Sequence, residues 1–204
     1  FVRRELMYEM RYGASSKNGK SDGLKTKIEL LSPDKLETAR NEHIRLNLGC
    51  GHKPLDGYLN VDRRSLPGID IVADVDELPF EQGEIDEIFS SHLLEHFPEE
   101  QLKRVLLHYW LDLLKPGGVF RAVVPDGDGM IKAYTGGEYP FQRLRDVTYG
   151  AQDYDGDFHF NMFTTSSLSE LLAEAGFIDI KIIAENRENK GCKEFEISAR
   201  RREV

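Results

Sequence analysis

Glycines, acids and histidines that follow short apolar runs are the residues of this chain best placed to do chemistry. Gly49-Cys50-Gly51 comes directly after Ile44-Arg-Leu-Asn-Leu48. Glycines at such a turn adopt positive φ and let backbone approach a ligand closely, although an ordinary tight turn has the same composition. Asp62 closes the next run, Tyr58-Leu-Asn-Val-Asp62, where an acid can accept both hydroxyls of a ribose. Asp74 follows a third run, Ile69 to Ala73, and Ser90-Ser-His-Leu-Leu-Glu-His-Phe97 follows a fourth, Ile85 to Ser90. Asp126 stands just past a fifth, Val119 to Val124. Histidine is the natural general base near neutral pH, which makes His92 and His159 candidates, with Asp126 beside a reacting group.

Two patterns invite a metal. His92-Leu-Leu-Glu95-His96 matches H-x-x-E-H, in which two histidines sit one turn apart on a helix and a distant acid completes a zinc site. Here the motif follows a strand and stops at Pro98, so Glu95 and His96 are expected to be structural. Asp126-Gly-Asp128-Gly and Asp153-Tyr-Asp155-Gly-Asp157 resemble the start of calcium loops. Neither completes one: the sixth positions are Ile131 and Phe158, and the twelfth are Gly137 and Thr164. They read as solvated loop acids, and no metal is expected.

Strands alternating with helices must position these groups. Pro98 opens an amphipathic helix to about Lys115, with Leu102, Val105, Leu106, Tyr109, Trp110, Leu113 and Leu114 on one face. Pro116-Gly117-Gly118 stops it. Thr165 to Ala175 is a second helix, with Ser167 and Glu170 at capping-box spacing, and Ser32 to Arg40 a short one. Ile178 to Ala184 and Phe195 to Ala199 are final strands around a polar turn at 186–191. The pattern predicts an α/β fold with a mostly parallel sheet, whose ligands bind beyond the carboxyl ends of the strands. Residues 1–42, with the Gly- and Ser-rich stretch Gly13 to Gly23, are expected to form a partly flexible N-terminal arm. The main domain is expected over 43–204, with a cap insertion at about 126–164.

The five turn segments, together with Leu78-Pro-Phe80 and Leu114-Lys-Pro-Gly-Gly118, resemble the class I S-adenosylmethionine-dependent methyltransferases over residues 43–200. They are most similar to predicted methyltransferases found with cell-surface glycan biosynthesis. The resemblance implies a Rossmann-like sheet of about seven strands, mostly parallel with an antiparallel last strand and helices on both faces. It implies S-adenosylmethionine as cofactor, with Asn47, Gly49, Cys50 and Gly51 by the methionine part. Asp62 then holds the ribose hydroxyls, Asp74 and Val75 meet the adenine, and Ser90 and His92 open onto the sulfur. The chain departs from the family at one place, where ten residues between Gly51 and Asp62 leave no room for a full crossover helix.

The expected reaction is in-line methyl transfer to a small-molecule or glycan acceptor, through an oxygen nucleophile. His159 or His92 is the proton acceptor and Asp126 orients the acceptor. The aromatics Tyr149, Phe158, Phe160 and Phe163 supply stacking surfaces or pin the cap. A non-catalytic binding module of a larger glycan-assembly protein is the alternative, consistent with a chain that starts at Phe1 and reads as a fragment. A dinucleotide dehydrogenase is disfavoured, because Pro54 replaces the third glycine of G-x-G-x-x-G. The 204 residues carry 27 Lys and Arg against 36 Asp and Glu, a net charge of −9 that argues against a nucleic-acid partner. No apolar run of about 18 residues predicts a membrane span. Two cysteines do not make a disulfide framework and suit a cytoplasmic compartment.

Overall fold

The structure, a computed structural model, describes residues 27–152 and 156–203. The stretch Gly13 to Gly23, and Asp153 and Asp155 of the second acidic stretch, lie outside the described residues. The elements run β1 (Glu29–Leu30), α1 (Pro33–Asn41), β2 (Arg45–Leu48), β3 (Leu59–Asp62), β4 (Ile71–Val72) and β5 (Ile85–Ser91). Next comes α2, a continuous helical run of Glu99–Gln101, Leu102–Leu106 and Leu107–Leu113. It leads into β6 (Leu114–Pro125), α3 (Gly127–Thr135), α4 (Phe141–Tyr149), α5 (Thr165–Glu174), β7 (Ile178–Asn189) and β8 (Cys192–Arg200).

All strands join one sheet in the order β1-β4-β3-β2-β5-β6-β8-β7. The centre is parallel, β8 is antiparallel to both β6 and β7, and β1 is antiparallel to β4. The sheet thus has eight strands, one more than expected. The extra strand comes from the segment grouped with the arm, and α1 behind it buries Leu36 in the core. The hairpin is longer than its apolar residues suggested. Its strands meet at a turn where Lys190 and Gly191 have φ of 51° and 80°, the positive values that a tight two-residue hairpin requires.

Alternation sorts the strands into two faces. Leu46, Leu48, Leu59, Val61, Ile88, Phe120 and Ile197 are buried on one, beneath α2 and α5. Trp110 stacks on Phe120 at 5.9 Å and Phe120 meets Phe177 at 5.3 Å. A π-type turn at Leu102–Leu106 adds a residue to the helical repeat. The phase shift buries Leu107 and turns Val105 outward, which the regular spacing did not anticipate. Capping of α5 also differs from expectation. Thr164 is the cap and Ser167 the reciprocal partner, so the box lies one turn earlier. Trp110 Nε1 donates to the Val75 carbonyl at 2.8 Å and the Leu78 N–H donates to the Tyr109 hydroxyl at 2.7 Å. These bonds fasten the loop after β4 onto α2.

The opposite face is polar. Arg121 bridges Glu87 at 3.1 Å and Glu196 at 2.5 Å, Arg187 also meets Glu196, and the Tyr58 hydroxyl donates to Glu87. On this side the ten residues Gly49 to Tyr58 connect β2 to β3 without a helix. Two buried asparagines hold that connection. Asn47 Nδ2 donates to the Lys53 carbonyl and to Asn60 Oδ1, and Asn60 takes the Leu55 N–H on Oδ1 and gives Nδ2 to the Leu55 carbonyl. Asp70 completes the network, accepting the Asn60 N–H at 2.8 Å and Lys35 Nζ at 2.6 Å.

Burial would raise the Asp70 carboxyl, but the Asn60 N–H and Lys35 outweigh it and hold the acid below its ordinary 3.8. A folded value below the unfolded one contributes stability that is present above the ordinary value and lost as pH falls through the folded one. Asp70→Ala should cost about 2 kcal/mol at pH 7, because it strands a buried N–H. In urea titrations the gap to the unsubstituted chain should hold between pH 7 and 5 and narrow only below 3.8. A gap that persists unchanged into acid would show that the charge of Asp70 adds nothing.

Candidate active site

The carboxyl ends of β2, β3, β4, β5 and β6 meet along one edge of the sheet. Gly49 has φ +62°, and a Cβ on it would lie 2.5 Å from Leu93 Cδ1, so the turns after β2 and β5 are in close contact. Gly51, at φ +53°, donates its N–H to Asp62 Oδ2 at 2.9 Å. Asp62 is 4% exposed and also takes the Arg64 N–H and Nε on Oδ1, each at 3.0 Å. Burial pushes this carboxyl up, yet the Arg64 and Gly51 hydrogen bonds prevail and keep it below its usual range. Cys50 between the glycines is buried. Burial, with Asp62 and Asp70 nearby, raises its thiol to about 12, so it is a neutral packing group. Asn47 lies below the turn, in the asparagine network.

Asp74 is half-buried after β4, with its carbonyl accepting the Glu77 N–H, and Val75 is fixed through Trp110. Ser90 pairs in register with Leu48 on one side and Ala122 on the other. It is fully buried and its hydroxyl has no hydrogen-bond partner among the described residues.

His92 follows with φ 53°, its N–H held by the Val123 carbonyl. Its ring lies between two acids, with Nδ1 3.3 Å from Glu95 and Nε2 2.8 Å from Glu194. Burial works against a charge there, but the two carboxylates outweigh it and raise His92 above its ordinary value. Asp126 is 7% exposed at the start of α3, and its backbone bridges Phe163. The Cys192 thiol is raised to about 12, first by burial and then by Glu194, Glu95 and Asp126. The Asp126 N–H donates to the Lys193 carbonyl at 2.8 Å, next to the Glu194 that faces His92.

The two histidines of H-x-x-E-H turn to different partners. His96 Nδ1 meets the Phe158 carbonyl at 3.1 Å, and its ring lies edge-on to His159 at 4.8 Å. His159 Nδ1 meets the Val147 carbonyl at 2.7 Å. Glu95 is 1% exposed, and its backbone carbonyl accepts the N–H groups of Phe160 and Asn161. Glu95, His96 and His159 each offer a ligand atom within 4.8 Å of the others. Sequence reasoning missed Arg64, Glu95 and Glu194 as site residues. Arg64 stands two residues past Asp62, where the sequence could have marked it. Glu194 lies 102 residues from His92 on a hairpin strand, where no local pattern marks it.

This strand order and the site at the strand ends define the Rossmann-like methyltransferase fold. A family model described as methyltransferase domain matches residues 23–182, and the chain belongs to that family of S-adenosylmethionine-dependent methyltransferases. Among solved structures, one from Thermotoga maritima described as a possible histamine N-methyltransferase is similar at TM-score 0.55 and 15% identity, covering 99% of this chain and 96% of that one. The 1,6-didemethyltoxoflavin-N1-methyltransferase of Burkholderia thailandensis, solved with S-adenosylhomocysteine, has TM-score 0.52 and 17% identity, covering 99% and 88%. The human protein named arginine-hydroxylase NDUFAF5, mitochondrial, is 28% identical over 183 residues, 78% of this chain and 49% of its own length; the rat protein matches equally. The chain thus spans about half the length of these curated relatives. Among the described residues no helix is long and apolar enough to cross a membrane.

Gly49→Ala should lower stability by about 1–2 kcal/mol, because a side chain at positive φ is strained even after Leu93 moves aside. Urea unfolding measures this; an unchanged midpoint would mean that the turn relaxes freely.

Proposed function

We propose that the chain transfers a methyl group from S-adenosylmethionine to an oxygen of a small polar or glycan acceptor, as in cell-surface glycan biosynthesis. The observation that carries the donor side is Asp62, a buried and ionised acid at a strand end beside the glycine turn. Its present partner, Arg64, has a side chain 43% exposed that can swing out when ribose hydroxyls arrive. Gly49, Cys50 and Gly51 would run beneath the methionine part, with Asn47 bracing them from below. Asp74 and Val75 would meet the adenine, and Ser90, at the end of β5, would lie nearest the sulfur. The bound donor supplies a sulfonium-activated methyl group.

The acceptor side rests on the cap. Phe163 is buried and pins the segment, whereas Tyr149, Phe158 and Phe160 are 59%, 44% and 63% exposed. Open aromatic faces next to His159 suit a sugar, which stacks through its C–H face and hydrogen-bonds at its rim. A carbonyl only accepts, so His159 carries its proton on Nδ1 toward Val147 and keeps a lone pair on Nε2 for a hydroxyl proton. Both nitrogens of His92 face carboxylates, so it would hold Glu95 and Glu194 in place rather than take that proton. Asp126 would orient the acceptor. The free cysteines Cys50 and Cys192 support a cytoplasmic setting, and the net charge of −9 supports a partner other than nucleic acid.

Asp62→Ala should weaken donor affinity tenfold or more by calorimetry; unchanged affinity would remove the assigned donor site. With labelled donor and a panel of sugars, polysaccharides and amines, label should appear on hydroxyl compounds, and labelling of amines alone would overturn the oxygen assignment. Once an acceptor is known, His159→Ala should lower turnover about a hundredfold at saturating donor without changing donor affinity. Donor binding with no consumption across the panel would favour the non-catalytic module.

A further inference from the structure

We propose that Glu95, His96 and His159 form a site for one divalent first-row transition-metal ion. Two imidazoles and a carboxylate are a donor set that holds zinc or ferrous iron with positions left open. The three ligand atoms already lie within 4.8 Å of one another. Ligands about 2.1 Å from a tetrahedral ion stand about 3.4 Å apart, so modest side-chain rotations would close the site.

Three features show that the site is built rather than a chance grouping. Glu95 is 1% exposed; its Oε1 stands 3.3 Å from the His92 ring, and its Oε2 makes no hydrogen bond within the described residues. With His92 serving one oxygen only, half of a buried carboxylate is left without a polar partner, which an ion on Oε2 would supply. His92 Nδ1, 3.3 Å from Oε1, stands beside the carboxylate as an outer partner and leaves Oε2 for an ion. Each imidazole, in turn, faces a backbone carbonyl through Nδ1: Phe158 for His96 and Val147 for His159. Those carbonyls fix the tautomer and leave both Nε2 lone pairs available, the usual outer arrangement of metal-bound histidine. The segment carrying His159 is also stapled to the turn carrying Glu95 and His96. The Glu95 carbonyl accepts two N–H groups from Phe160 and Asn161, and Asn161 Nδ2 donates to the Phe97 carbonyl at 2.7 Å.

Metal binding does not depend on the methyl-transfer reading. The two meet at one atom, because Nε2 of His159 either ligates an ion or accepts a proton. A metal-loaded chain would therefore differ from a metal-free chain in whether His159 can act as a base.

The test uses untagged full chain stripped with a chelator and titrated with Co²⁺ alone, read by calorimetry and by visible absorption. One equivalent should bind and give the d–d bands of a low-coordinate site. His96→Ala and His159→Ala, both at half-buried positions, should each weaken binding tenfold or more, as should Glu95→Gln. His52→Ala, at an exposed histidine outside the cluster, should leave binding unchanged. Circular dichroism confirms that each variant is folded, and His159→Ala decides the matter if Glu95→Gln is not. Absence of stoichiometric binding, or binding insensitive to both cluster histidines, would overturn the proposal, whatever the outcome of the donor and acceptor assays.

Discussion

The length of one connection constrains much of this molecule. Parallel neighbours usually need a helix between them, and β2 and β3 have ten residues instead. A loop of that length laid across a sheet would leave its own N–H and C=O groups unsatisfied. Asn47 and Asn60 supply the missing partners from inside the strands, and Asp70 anchors Asn60 in turn. The same loop delivers the Gly51 N–H to Asp62. Strand pairing and loop path therefore rest on one buried network, and the loop it holds carries one of the hydrogen bonds that reach Asp62.

The absent helix also accounts for the character of that sheet face. Where a crossover helix would demand apolar side chains, the strands carry Arg121, Glu87, Glu196 and Arg187 in mutual contact, partly open to water. Such pairs are individually weak when solvated. They keep a two-sided sheet from presenting a bare apolar surface, and the opposite face carries the packing. Trp110, Phe120 and Phe177 lie there, with α2 and α5 covering it.

The central strands, both main helices and the acids at the strand ends were legible because each is a local signal. Apolar runs end in glycine or acid, and helical spacing shows one face. The missed features are those set by partners far away in the chain. β1 is two residues long and exists only because β4 offers an edge. Val105 was assigned inward because a π-type turn leaves no mark in a hydrophobic pattern. Thr164 rather than Ser167 caps α5, since both serine and threonine fit the motif and only backbone geometry separates them. Glu95 and His96 looked like structural residues of a broken zinc motif. Their convergence with His159 depends on how the cap folds back, which no spacing within 92–96 encodes.

Arg64 would give the proposed donor pocket one more property. Its guanidinium and backbone N–H already occupy Asp62, so a nucleoside bound as proposed would exchange one set of hydrogen bonds for another rather than fill an empty acceptor. Net affinity would then be the difference between two sets of hydrogen bonds. A ribose that offers two hydroxyls in the right geometry can win that exchange. A deoxyribose, with one, would leave Arg64 the better partner. A donor pocket of this kind would discriminate between sugars through a competitor carried on its own chain.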